Sequence, residues 1–440
     1  MIDRFLRQVQ LLEGAQRPLR SEDVLVRDGA IAAYGAEARA LAAAGGVPGL
    51  EAQGWLLAPV LVDPHSVLED PICGRAETLA SLVRSASAAG YGTVALLPRA
   101  RSWRDRPERL QLNAPAPFEL LLWGSFSAGG RGEELAPHGD QLEAGAIGLA
   151  DDADLPPLAL LERGLRLAEA GGRPLLVAPR DPSLTQQGFV REGVEALRAG
   201  WPLDPVVSET LALQCLLTLA AQAPEPTGPL RLMNLSTAAG VQLLRRAAAV
   251  STRVPLASVG WWHLLADSGS LDPVAEGWHV VPSLGTPTDR EALIAALADG
   301  VLSAVAVNHQ PLDGEEQLLP LDQRQSGVAG HRFVLPALWR ELVVARGWSP
   351  EALWQALSWG PSRLLGRPEE RLALGSRRWL LFDPEQEWLP KEDPEAPLAA
   401  NEPLLTERQR GQVLATGLRA SLWRGGQPGE DQLLPDSPGN

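Results

Sequence analysis

The chain has 440 residues, 45% of them hydrophobic, and a formal net charge of −15, which is more than one core usually fills and ample for globular packing. With no basic run and no basic patch interleaved with aromatics, the charge pattern excludes nucleic acid and anionic membranes as partners. The longest apolar stretches, such as Leu211 to Ala221, are too short to span a bilayer, and the start M-I-D-R-F-L-R-Q lacks the apolar segment of a signal peptide, so a soluble cytoplasmic protein is expected.

Asp23 to Ala33 reads D-V-L-V-R-D-G-A-I-A-A, two alternating segments around Asp28-Gly29, a hairpin signal. Ala36 to Ala44 is alanine-rich and expected as a short helix or a loop insertion, and Trp55 to Val62 as a strand. Leu56 to Pro71, L-L-A-P-V-L-V-D-P-H-S-V-L-E-D-P, is an apolar run that ends in polar groups, the pattern of a buried parallel strand delivering side chains to the top of an α/β fold. His65 is then either a site residue or a cap on a strand end. Cys73 and Cys215 have no C-x-x-C spacing and are expected as small core residues without a disulfide.

From Ala58 onward strands and helices alternate. Strands are expected at Gly92 to Pro98, Phe118 to Trp123, Ala146 to Ala150, Pro174 to Ala178, Arg231 to Leu235, Ser258 to Trp262 and Ala304 to Val307. Helices are expected at Thr78 to Ala89, Leu158 to Ala170, Ser208 to Ala221, Ala238 to Ala248, Asp289 to Asp299 and Pro336 to Arg346. This alternation predicts a parallel barrel or doubly wound sheet. Beyond Gly366 strands are expected at Arg378 to Phe382, Gly411 to Thr416 and Arg419 to Trp423, with a loop over Asp383 to Thr406 and a disordered tail from Gly425. The only lysine is Lys391, so the barrel has no residue for a carbamylated-lysine metal bridge.

Taken together and in order, these pieces resemble the dihydroorotases of the amidohydrolase superfamily over nearly the whole chain. The resemblance rests on D-V-L-V-R-D-G-A-I, A-P-V-L-V-D-P-H, A-A-G-Y-G-T-V-A-L-L-P, G-A-I-G-L-A-D-D, D-P-S-L from Asp181, L-S-T-A-A-G-V-Q-L-L-R from Leu235, H-L-L-A-D from His263, D-R-E-A-L from Asp289, N-H-Q-P from Asn308 and G-P-S-R-L-L-G from Gly360. It implies an α/β fold, a (β/α)₈ barrel over 58–368, with a small β-sandwich built from residues 1–57 and 369–424 and a tail over 425–440. It also implies zinc and the reversible cyclisation of carbamoyl aspartate to dihydroorotate in pyrimidine synthesis.

Carried over residue by residue, the resemblance finds most site positions changed. The family's H-x-H pair is H-S-V, so His65 matches the first metal ligand and Val67 replaces the second. Glu69 stands where an Arg holds the substrate carboxylate, and Arg99 where an Asn binds substrate. Asp151 and Asp152 keep the D-D turn, with Ala153 for its Gly. Ala178, Asn234 and Trp262 occupy three further ligand positions, leaving His263. Val281 and Gly285 replace an Asn and an Arg of the substrate loop, where His279 precedes V-V-P-S. Asn308 holds the place of the general base, with His309 beside it, and an amide cannot take a proton from metal-bound water as a carboxylate does. His138 and His331 lie in loop-like contexts.

A non-catalytic homologue with no cofactor is therefore expected, with aspartate transcarbamoylase as the partner that inactive members of the family scaffold, and a homo-oligomer as a further expectation. The alternative is an active dihydroorotase or other cyclic amidohydrolase in which His65, Asp151, His263 and His309 converge on one zinc. A third reading is a ligand sensor whose mouth is lined by Trp261, Trp262 and Arg99, although Trp filling a vacated metal cavity accounts for the same residues.

Overall fold

The computed structural model describes residues 3–167, 169–222, 229–270, 277–320, 323–419 and 421–425. Its centre is a ring of parallel strands: Leu61–Ser66, Tyr91–Leu96, a third in two pieces at Glu119–Leu122 and Gly124–Ser125, then Leu149–Ala150, Leu175–Val177, Leu230–Leu232, Leu256–Gly260 and Ala304–Ala306. Each pairs in parallel with its sequence neighbour in the ring. The ring closes where the Asp63 carboxylate accepts the Val307 N–H at 3.0 Å and the Val67 N–H donates to the His309 carbonyl at 2.8 Å. All residues of the first two strands are buried, because helices cover one face and the barrel interior the other, which is why these segments read as continuous apolar runs.

The outer helices begin where their sequence places caps. Thr78 accepts the Ser81 N–H before Leu79–Ala88, Thr237 accepts the Gly240 N–H before Ala238–Val250, and Thr286 with Asp289 forms a capping box before Pro287–Ala298. A seven-stranded sheet joins Arg4–Leu11, Arg20–Arg27, Ala30–Tyr34, Gly49–Glu51 and Leu56–Pro59 from the front of the chain to Trp379–Trp388 and Gln409–Thr416 from its end. Among the described residues no helix is long and apolar enough to cross a membrane.

Several expectations are corrected. The segment read as one strand, Trp55 to Val62, is divided between the two sheets, with Leu56–Pro59 in the outer sheet and Leu61–Ser66 in the barrel. The strand Arg4–Leu11 escapes a reading by alternation because it carries a bulge between Leu6 and Val9, with Gln8 at φ 54°. The first six residues of the expected loop, Asp383 to Trp388, are strand, since Asp383 and Glu387 pair with Gln412 and Arg410 despite the intervening Pro. Of the strand expected at Arg419 to Trp423, the described residues Arg419, Ser421, Leu422 and Trp423 are not in a strand; near them the Arg424 N–H makes one bond to the Leu414 carbonyl. The helix expected from Pro336 begins at His331, with Pro336 inside it, so His331 is helical, and His138 opens the helix His138–Glu143. Cys73 is exposed and Cys215 half-buried, so neither is a core residue. The tail expected from Gly425 lies, beyond that residue, outside the described residues.

The last helical segment is pressed against the final barrel strand at Gly360, where a Cβ would stand 1.7 Å from the Ser303 carbonyl oxygen and 2.6 Å from that of Gln355. Backbone cannot yield as a flexible side chain does. Gly360→Ala is expected to lower stability by about 3 kcal/mol, whereas Gly139→Ala, with nothing within 4 Å, is expected to be neutral or slightly stabilising. Urea unfolding of both variants checks the contrast, and equal midpoints would contradict this packing.

Candidate functional site

The barrel mouth is built from the ends of the strands, starting with the D-P-H-S run. Asp63 has no solvent exposure: besides the Val307 N–H, its second oxygen accepts the Ser66 hydroxyl at 2.5 Å and bonds His331 Nε2 at 3.0 Å. The Ser66 oxygen in turn accepts the His309 N–H at 2.8 Å. His65, two residues along, is fully buried, with Nε2 3.0 Å from the Ser258 hydroxyl, which also accepts the Asn234 N–H at 3.0 Å. That is a nucleophile and base distance, yet both side chains have no exposure and the hydroxyl is already engaged. Val67 packs into the barrel core with Ala178, Trp123 and Met233.

The aspartates of the D-D turn are turned to other work. Asp151 accepts the Phe126 N–H at 3.0 Å, the Ser127 N–H at 2.9 Å and the hydroxyls of Ser125 and Ser127 at 3.1 and 2.8 Å. Its carboxylate therefore fastens the loop after the third strand. Burial still pushes its pKa up to about 6, outweighing those hydrogen bonds. Asp152 pairs with Arg99 at 3.2 Å, and Arg99 reaches Glu69 at 3.3 Å. The Glu at the position of the substrate-carboxylate Arg is thus half of an internal ion pair at the rim.

The remaining candidates diverge. Asn234 and Asn308 both adopt positive φ, 53° and 49°, and the Asn308 amide donates to the Val281 carbonyl at 3.0 Å. Trp262 donates to the Gly277 carbonyl at 2.9 Å, and His263 Nε2 donates to the Pro282 carbonyl at 2.9 Å. Gly285 packs over Asp289, where a Cβ would meet the Asp289 Cβ at 2.6 Å. His309 points away from these groups, with Nε2 3.5 Å from Glu77 and its ring 4.9 Å from that of His331. His65, Asp151, His263 and His309 each have a different partner. Among the described residues no group of three His, Cys, Asp or Glu is arranged to hold a metal ion.

Two buried cations at the mouth were not visible in the sequence. Arg191, with no exposure, lies 3.1 Å from Asp204 and 3.4 Å from Glu209, and donates to the hydroxyls of Ser208 and Ser236 at 2.7 and 3.0 Å. Glu209 also holds the backbone N–H groups of Ser236 and Thr237, at 2.8 and 3.1 Å, while Asp204 accepts the Ser283 hydroxyl at 2.8 Å. Arg104, buried beyond the second strand, donates to the carbonyls of Leu97 and Leu68, both at 2.7 Å, and desolvation lowers its pKa to about 10. These guanidiniums fasten loops together. The cavity lined by Ala178, Arg180, Glu209, Asn234, Asn308 and Gln310 measures ≈ 10 Å³, room for about one water, where small-molecule pockets measure about 300–1,000 Å³.

The buried histidines set a pH dependence. Desolvation lowers the pKa of His65 and of His263 to about 4, below the ordinary 6.5, so the unfolded chain binds their protons first and stability falls as pH drops from about 6.5 towards 4. Asp151, raised to about 6, acts in the opposite direction, its contribution growing as pH falls below 6. Two histidines outweigh one aspartate. The melting temperature is expected to fall between pH 7 and pH 4.5, with a shallower slope in His263→Gln; a flat profile over that range would contradict the burial of both rings.

No family model matches the chain. A protein of Synechocystis sp. described as a probable dihydroorotase-like protein is 34% identical over 443 residues, covering 93% of this chain and 98% of its own. A dihydroorotase of Geobacter sp. is 28% identical, covering 91% and 94%. Among solved structures, the L-hydantoinase (dihydropyrimidinase) of Arthrobacter aurescens superposes with a TM-score of 0.76 at 19% identity, covering 96% of this chain and 98% of that one. That last likeness shows the fold, a parallel α/β barrel with a separate β-rich part.

Proposed function

This chain belongs to the dihydroorotase-like family, and from that premise we propose that it is a non-catalytic, cytoplasmic member whose barrel serves as a scaffold for aspartate transcarbamoylase in de novo pyrimidine synthesis. The observation that carries the non-catalytic half is the state of Asp151, whose two oxygens are taken up by four donors of the 125–127 loop. A catalytic zinc takes about three protein ligands and keeps one position open. Val67 and Ala178 offer no lone pair, the Trp262 indole only donates, and His65 faces Ser258. The donor set does not fit zinc. The Asn308 amide, directed at a backbone carbonyl, supports the same reading, as does a mouth cavity with room for about one water.

The partner half is what the resemblance implies, and a fold whose core and caps are intact while its site positions are changed is in keeping with a structural role, since function resides in sites carried on folds. Size-exclusion chromatography of the chain with the transcarbamoylase of the same organism, at low salt, is expected to give co-elution. A chain that elutes alone there would overturn the scaffold assignment. Dialysis against zinc followed by metal analysis tests the other half, with an expected content well below one zinc per chain.

A further inference from the structure

The connection between the last two strands of the outer sheet, Trp379–Trp388 and Gln409–Thr416, leaves that sheet and runs to the barrel mouth. There Asn401, 4% exposed, holds main chain that lies outside the strands and helices. The Leu312 N–H donates to Asn401 Oδ1 at 2.9 Å, and Asn401 Nδ2 donates to the Gln310 carbonyl at 2.9 Å. On the backbone, the Ala400 N–H donates to the Leu312 carbonyl at 2.8 Å, and the Ala329 N–H to the Asn401 carbonyl at 3.2 Å.

What is tied down is one wall of the mouth. Asn308 and Gln310 both line the ≈ 10 Å³ cavity, and Asn308 sits at φ 49°, a conformation that persists where the surrounding structure holds it. The connection is itself anchored away from the mouth: Arg332 donates to Glu402 at 2.9 Å and to the Pro390 carbonyl at 2.7 Å, and Arg84 donates to the Ala396 carbonyl at 2.9 Å.

We propose that residues 396–402 are a strap that holds the barrel mouth shut, and that the mouth opens when Asn401 releases residues 310–312. An amide side chain can accept an N–H and donate to a carbonyl at once, so Asn401 supplies Gln310 and Leu312 with the pairing that a neighbouring strand would give. The strap belongs to the outer sheet. Closure of the mouth therefore depends on a part of the fold outside the barrel, and release is a local opening that leaves the barrel core folded. The outer side of the strap is reachable, with Leu398 50% exposed.

Thiol labelling of the full-length protein tests this. Ala178, 5% exposed, lines the mouth cavity, while Ala33, with no exposure, lies in the strand at the opposite end of the outer sheet from Gln409–Thr416. Ala178→Cys and Ala33→Cys are each made in a Cys73→Ser background and treated with N-ethylmaleimide, with the labelled position read by peptide mass. When Asn401→Ala is added, the thiol at position 178 is expected to react about tenfold faster or more, the factor that one or two net hydrogen bonds are worth. The thiol at position 33 is expected to keep its rate. Asn401→Asp, which keeps the bond from Leu312 and loses the one to Gln310, should fall between. Equal acceleration at both positions, or none at position 178, would overturn the strap.

Discussion

Replacing Arg191 by Met is expected to cost about 3–5 kcal/mol, because it leaves two buried carboxylates without their cation. Asp204 and Glu209 are 0% and 1% exposed at their side chains. Glu209 would keep its bonds from Ser236 and Thr237, and Asp204 its bonds from Ser208 and Ser283, but hydroxyl and amide donors do not neutralise two negative charges that shared one guanidinium. The effect would be local as well as global. Arg191 joins the ladder Val190–Arg191 with Leu203–Asp204 to the start of the helix at Val207 and to the segment at Ser236, so its loss loosens the mouth along with the core. Arg191→Lys keeps the charge and loses the fork, and should fall between the two. Urea unfolding gives the difference; a loss under about 1 kcal/mol for the Met variant would show that the carboxylates are neutral or solvated.

The second large effect concerns turnover. Supplied with zinc and dihydroorotate, the chain is expected to work at least about 10⁴-fold more slowly than a relative that is an active dihydroorotase, since a missing general base alone costs about 10²–10⁴-fold and the absence of a metal-bound water with a pKa near 7 adds to that. Asn308→Asp is the informative variant. In an otherwise intact centre it would restore the base. Here the carboxylate would face the Val281 carbonyl with no activated water to deprotonate, so no gain is expected.

Much of the fold was legible because the signals are local. The capping Thr78 and the turn at Gly90, with φ 91°, mark helix ends by residue type, and the buried strands by their apolar runs. Two strand segments escaped the sequence for local reasons too, Arg4–Leu11 through its bulge at Gln8 and the end of Trp379–Trp388 through its Pro. The site was legible only as substitutions. Val67, Ala178 and Asn308 could be read as lost chemistry from residue type. Nothing in the sequence showed that Asp151, a retained carboxylate, spends its oxygens on the backbone of residues 126 and 127. Nor did it place His309 on Glu77 instead of the mouth. Arg191 and Glu209 are joined to Ser236 across 45 and 27 positions, a pairing that periodicity cannot reveal.

With its donor set spent on the fold, this barrel mouth is expected not to hydrolyse dihydroorotate. The most direct measurement is the progress curve of dihydroorotate opening by the purified, zinc-supplemented protein beside Asn308→Ala. No rate above the uncatalysed background and no difference between the two proteins are expected. A wild-type rate that chelation removes and Asn308→Ala abolishes would contradict it.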